Sequence, residues 1–126
     1  MGEVMNCIKP FVLVVDDNNL IARAAQLSLS NLDVLVDIAH NGAEAVAATR
    51  LRRYSLVLMD VEMPVMDGIH ATMSIRHDEQ KTGRHVPIVG VTSSERPLSC
   101  MAFGMDACVS KPADYPVLVE TWLEQY

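Results

Sequence analysis

Short apolar runs, separated by stretches of a different period, limit the fold of this chain more tightly than anything else in it. FVLVV (11–15) and SLVLM (55–59) are continuous and rich in β-branched residues, without the alternation of a half-exposed strand. Such runs suit strands buried on both faces, as in a parallel sheet covered by helices. VPIVGVT (86–92) repeats the pattern, and DVLVDIA (33–39) and DACVS (106–110) are shorter versions.

The segments between these runs carry helical spacing. The first, 19–31, puts Leu20, Ala24 and Leu27 on one face, with Ala25 and Ser28 beside them. The second follows His40-Asn41-Gly42 and runs to about Arg52; Asn41 is a natural cap and Glu44 stands three residues on, as in a capping box. The third opens at Asp67-Gly68 and carries Ile69, Met73 and Ile75 or Arg76. It stops before the polar HDEQKTGRH, where Gly83 is the turn residue. A short, weakly patterned helix covers 97–103. In the last helix Tyr115, Leu118, Val119 and Trp122 fall at i, i+3, i+4 and i+7, behind an Asp114 cap and with Pro116 in the first turn. Alternation of this kind implies a doubly wound α/β domain. With 126 residues the expectation is one such domain over 11–126, after an N-terminal extension of 1–10.

Composition narrows the function classes. Half of the residues are hydrophobic, enough for a packed core, and no apolar run approaches the roughly 18–20 residues that span a bilayer. The start, MGEVMNCIKP, lacks a secretory signal, and Asn6 stands where a myristoylation signal needs Ser or Thr. A soluble, cytoplasmic protein without direct membrane contact is expected. A net charge of −6 and the lack of any Lys/Arg cluster argue against nucleic acid as a partner. Cys7, Cys100 and Cys108 are odd in number and without metal-ligand spacing, so reduced thiols are expected. His40, His70, His77 and His85 are scattered, which suits solvated or capping roles.

In an open α/β sheet, ligands bind beyond the carboxyl ends of the strands. The first strand here ends in Asp16-Asp17 and the third in Asp60; the fourth ends in Thr92-Ser93-Ser94 and the fifth in Lys111-Pro112. Singly, such residues are most often caps, turn residues or solvated charges. Gathered on one edge, three carboxylates repel one another and need a cation, and Mg²⁺ fits a site of a few oxygens, waters and a phosphate. Lys111 and Thr92 would face the same group from the other side, as charge neutralisation of a transferring phosphoryl requires. An Asp carboxylate can itself be the nucleophile.

These residues resemble the receiver domains of two-component response regulators. The pieces VLVVDDN, LVLMDVEMPVMDG, PIVGVTS and GMDACVSKP stand in that family's order and spacing from Phe11 to the C-terminus. The resemblance implies a CheY-like, flavodoxin-like five-stranded parallel sheet in the order 2-1-3-4-5 with five helices. It implies that Asp60 is the phosphoacceptor and that Asp16 and Asp17 are the acidic pair at a Mg²⁺ site, joined by Asp60 itself and the backbone carbonyl of Glu62. Thr92 would be the switch hydroxyl and Lys111 its cationic partner, with Lys111–Pro112 cis; Pro64 and Gly68 match the loop and helix-start positions. The run MDVEMPVMDG, the following ATMSIR and the polar loop are similar to receivers fused to hybrid sensor kinases and to phosphorelay intermediates. The implied partner is a histidine kinase or a histidine-containing phosphotransfer protein, and the chain is expected to be a monomer. It would be no enzyme on separate substrates, but a phosphoacceptor catalysing its own phosphorylation and dephosphorylation, or a piece of a hybrid histidine kinase.

Two departures bear on output. Cys108 stands where the family commonly has Tyr or Phe, which weakens an aromatic switch and favours passing the phosphoryl group onward. Ile21-Ala22 replaces an Asn-Arg that many hybrid receivers carry on the first helix, part of the docking surface. A stand-alone regulator acting by phosphorylation-dependent protein binding is the alternative. A flavodoxin-type binder is disfavoured because Asp16-Asp17-Asn18-Asn19 would repel a flavin phosphate. A phosphohydrolase with a nucleophilic Asp is disfavoured because Glu62 replaces the second Asp such enzymes need and there is no cap domain. A pseudo-receiver is disfavoured because the full acidic, hydroxyl and lysine set is present.

Overall fold

The computed structural model describes residues 9–93 and 97–123. Cys7, Ser94 and the first eight residues of the expected N-terminal extension lie outside the described residues. Strands β1 (Phe11–Val15), β2 (Leu35–Ala39), β3 (Leu56–Asp60), β4 (Ile88–Thr92) and β5 (Ala107–Ser110) form one sheet in the order β2-β1-β3-β4-β5. Every pairing is parallel, with Val12 opposite both Val36 and Leu56, Leu58 opposite Val89, and Gly90 opposite Cys108. Pro10 already belongs to this sheet, since its carbonyl accepts from the Leu35 N–H at 2.9 Å.

Helices α1 (Asn19–Ser28), α2 (Gly42–Leu51), α3 (Gly68–Glu79) and α4 (Tyr115–Leu123) join the strands, and a 3₁₀ helix, Pro97–Phe103, stands between β4 and β5. Five helices were expected, and the fourth of them is this 3₁₀ segment. Gly104, at φ 110°, ends it after seven residues, and a run so short and weakly amphipathic cannot repay α-helix nucleation. The third helix runs past its expected end, through His77-Asp78-Glu79 with Gln80 as its C-terminal cap, and the turn then falls at Gly83 with φ 73°.

Successive side chains of each strand point to opposite faces of the sheet, and both faces are covered. Leu13, Val15, Val57, Met59 and Ile88 pack with Ala45, Val46, Ala71 and Ile75 of α2 and α3. Val12, Val14, Leu56, Leu58 and Val89 pack with Ala25, Leu29 and Val119 on the side of α1 and α4. Each such Val or Leu contributes about 1.5–3 kcal/mol of burial.

The rotation of two helices differs from the expected one. α1 buries Ala22 and Ala25, with Leu29 just past its end, and leaves Leu20 and Leu27 at 82% and 66% exposure. Its start is set by Asn18, whose Oδ1 accepts from the Leu20 and Ile21 N–H groups. The small alanines then let its backbone close on the sheet. α3 likewise buries Ala71, Thr72 and Ile75, while Met73 is 48% exposed. The expected caps are present: Asn41 accepts from Glu44 N–H, Asp67 from His70 N–H and Asp114 from Val117 N–H. Glu44 reaches back to the N–H of His40 rather than to that of the cap itself.

Candidate functional site

β1 carries the chain to Asp16, whose N–H extends the ladder to Ala39 O at 3.0 Å, and β3 ends at Asp60 beside it. The two carboxylates are buried, at 1% and 3% exposure, and Asp17 is exposed at the rim. Asp16, Asp17 and Asp60 each offer a carboxylate oxygen within 4.8 Å of the others. Past β5, Lys111 places its Nζ 2.9 Å from Asp60 Oδ1, and the Lys111–Pro112 bond is cis. Four of the six residues expected at the site, Asp16, Asp17, Asp60 and Lys111, are therefore brought together.

The electrostatics follow from that crowding. Burial pushes the Asp60 carboxyl up to about 6; the Lys111 hydrogen bond works against this, and the nearby Asp16 charge adds to it. Lys111 is raised although burial opposes it, because Asp60, Asp16 and Glu62 surround it with negative charge. Burial likewise pushes the phenol of Tyr115, at the edge of the site, up to about 12, with Asp16 and Asp60 adding to the effect. One ammonium against three carboxylates leaves the site short of positive charge. Asp16 Oδ1 accepts from Asn18 N–H at 2.9 Å, while its buried Oδ2 has no hydrogen-bond partner among the described residues. A buried, orphaned carboxylate oxygen facing two other carboxylates fits a hard divalent cation.

The other two expected residues are arranged differently. Glu62 N–H donates to Asp60 Oδ1 at 3.2 Å, but the Glu62 side chain turns to the end of β4. There its carboxylate accepts from the Thr92 hydroxyl and, at 3.0 Å each, from the N–H and hydroxyl of Ser93. Thr92 is fully buried. This side-chain clamp was not legible in the sequence, where Glu62 stood out for its carbonyl and for replacing a phosphohydrolase's second Asp. The Asn18 cap was missed too, although Asn before a helical run is a readable signal.

A groove of about 930 Å³ opens beside the acidic cluster, lined by Asp16, Ile21, Ala24, Lys111, Pro112 and Tyr115. A second cavity, of about 500 Å³ between Tyr54, Arg53 and Arg84, contains none of the site residues.

The family model for the response regulator receiver domain matches residues 12–122. The chain belongs to that family. As a receiver domain it is similar to part of "Probable histidine kinase 1" of Oryza sativa subsp. indica, at 35% identity over 94% of this chain and 15% of that protein. It is also similar to the sensor histidine kinase RcsC of Salmonella typhimurium, at 36% identity over 87% of this chain and 12% of that protein. The receiver thus spans under a sixth of the length of these two curated relatives. Among solved structures it is similar to the co-crystal structure of the Saccharomyces cerevisiae histidine phosphotransfer signaling protein Ypd1 with the receiver domain of its downstream response regulator Ssk1. There the TM-score is 0.82, at 28% identity over 92% of this chain and 88% of that one.

Proposed function

We propose that this receiver takes a phosphoryl group from a phosphohistidine donor onto Asp60, in a Mg²⁺-dependent reaction, and passes it to a second histidine-containing protein or loses it to water. The observation that carries this reading is the convergence of Asp16, Asp17, Asp60 and Lys111 on one edge of the sheet, with Asp16 Oδ2 buried and unpartnered among the described residues. A carboxylate oxygen of Asp60 attacks phosphorus, the P–N bond to the donor imidazole breaks, and the imidazole leaves with its electron pair. Asp16, Asp17, Asp60 and the Glu62 carbonyl would hold Mg²⁺, which supplies neutralisation of the phosphoryl charge. Lys111 moves from Asp60 to a phosphoryl oxygen, and Thr92 donates to another.

The partner is a histidine kinase or a histidine-containing phosphotransfer protein, and the receiver acts as a monomer in the cytoplasm. Among the described residues no helix is long and apolar enough to cross a membrane. The groove beside Asp16 and the exposed Leu20 and Leu27 of α1 offer an apolar seat for a partner helix within reach of Asp60. A relative in the solved structures sits in complex with a phosphotransfer protein, which supports the same kind of partner here. The likeness to histidine kinases supports a hybrid kinase as the chain's wider context.

The test is labelling by a small phosphodonor such as acetyl phosphate. The wild type should take up phosphate only with Mg²⁺ present, and Asp60→Asn should take up none. Equal labelling of that variant would remove Asp60 from the reaction.

A further inference from the structure

We propose that Glu62 is a positioning residue that latches Thr92 and opposes the phosphoryl-bound state of the site. This deepens the reading above and rests on it. The Thr92 hydroxyl has one proton to donate, and in this structure Glu62 Oε2 accepts it. The other carboxylate oxygen of Glu62, Oε1, is held by Ser93 through both its N–H and its hydroxyl. The side chain is therefore fixed at both oxygens, across from the strand that carries Asp60.

A phosphoryl group on Asp60 would be a second anion competing for the same proton. Thr92 cannot serve both. Charge-assisted bonds of this kind are about twice as strong as neutral ones, so the exchange is between comparable partners and is not one-sided. Engagement of the phosphoryl group thus requires Thr92 to leave Glu62, and the latch lowers affinity for a phosphoryl group by the strength of the contact it loses. Because the clamp spans from the loop after β3 to the end of β4, its release frees Ser93. This chain therefore has a polar contact sensing the state of Asp60 where its fifth strand offers only Cys108.

Binding of beryllofluoride with Mg²⁺, a non-covalent mimic of the acyl phosphate, tests this by calorimetry. Glu62→Ala should bind it about tenfold more tightly, the loss of one charge-assisted hydrogen bond. Glu62→Gln, which keeps an acceptor oxygen but not the charge, should fall between. Ser93→Ala alters an exposed position and loosens the same clamp, so it should gain a smaller factor even if Glu62 variants fold poorly. In a Thr92→Val background the gain from Glu62→Ala should shrink to within about twofold, because the contact is already gone. Unchanged or weaker binding by Glu62→Ala and Ser93→Ala overturns the latch. So does an equal gain with and without Thr92, which would mean that Glu62 acts only through its field. Failure of the wild type to bind the mimic at all would instead overturn the phosphoacceptor reading.

Discussion

Asp60 is buried beside Asp16 and its carboxyl is pushed up to about 6, so even with Lys111 beside it its ionisation opposes folding in the absence of a metal ion. Its folded-state carboxyl lies above the ordinary value of 3.8, so the folded chain holds the extra proton between about 4 and 6. The associated stability is complete below that window and lost as the pH rises through it. Without Mg²⁺, Asp60→Asn should therefore be more stable than wild type at pH 7.5, and denaturant titrations should show the gap closing towards pH 4. Mg²⁺ should restore wild-type stability by about 2.7 kcal/mol at a hundredfold excess over its dissociation constant, and Asp16→Asn should abolish that gain. Proton and metal compete for Asp60, so apparent Mg²⁺ affinity should fall below about pH 6. At this scale the carboxylates and Lys111 were legible, because each directly follows a recognisable strand. The hold of Glu62 on Thr92 was not, because it joins residues thirty positions apart through side-chain rotamers.

At the scale of elements, α1 shows what periodicity cannot settle. Leu20, Ala24 and Leu27 form a credible apolar stripe, yet the face that meets the sheet is Ala22, Ala25 and Leu29. Two overlapping stripes were available, and helix-to-sheet distance chose the one with small residues. Ala25→Leu should overpack that contact and cost about 1–3 kcal/mol, while Leu20→Glu and Leu27→Glu should shift stability by less than about 0.5 kcal/mol in thermal melts. The same two exposed substitutions should slow phosphotransfer from a histidine-containing partner. The loop after β3 carries a local strain. Met66 N–H donates to Pro64 O at 2.9 Å, closing a three-residue turn around Val65 at φ 72°. The loop is pinned at both ends, by Gly42 N–H on Met66 O at 2.9 Å and by Gly68 N–H on Val61 O at 3.0 Å. A Cβ on Gly68 would lie 2.3 Å from Asp60 O, so no other residue fits so close to the end of β3. A β-branched residue at positive φ costs about 1–2 kcal/mol, and glycine gives back about 0.5–1 in entropy. Val65→Gly should thus raise stability by up to about 1.5 kcal/mol in urea titrations.

For the whole molecule, the end of the sheet opposite the acidic cluster is tied together by Arg76. Its guanidinium donates to Glu79, Asp106 and the carbonyls of Val86 and Gly104, joining α3 to the entries of β4 and β5. Asp106 also accepts from Ile88 N–H and pairs with His85. Arg76→Ala leaves Glu79 and Asp106 without their cation in a half-buried setting and should cost about 3 kcal/mol, measured by chemical denaturation. The sequence read Arg76 only as a residue near the buried face of its helix, since nothing local marks a hub. What the sequence by itself determined was the class of fold, the strand that each acidic residue follows, and therefore the edge where the chemistry sits. Those follow from burial on both faces of the three central strands and from the rule that ligands lie beyond the carboxyl ends of the sheet. The tertiary structure alone decided which face of α1 stays free, which acceptor takes the Thr92 proton and what holds the far end of the sheet. Each of these depends on distances between elements remote in sequence, where packing and hydrogen-bond geometry, not local preference, choose among near-equal alternatives.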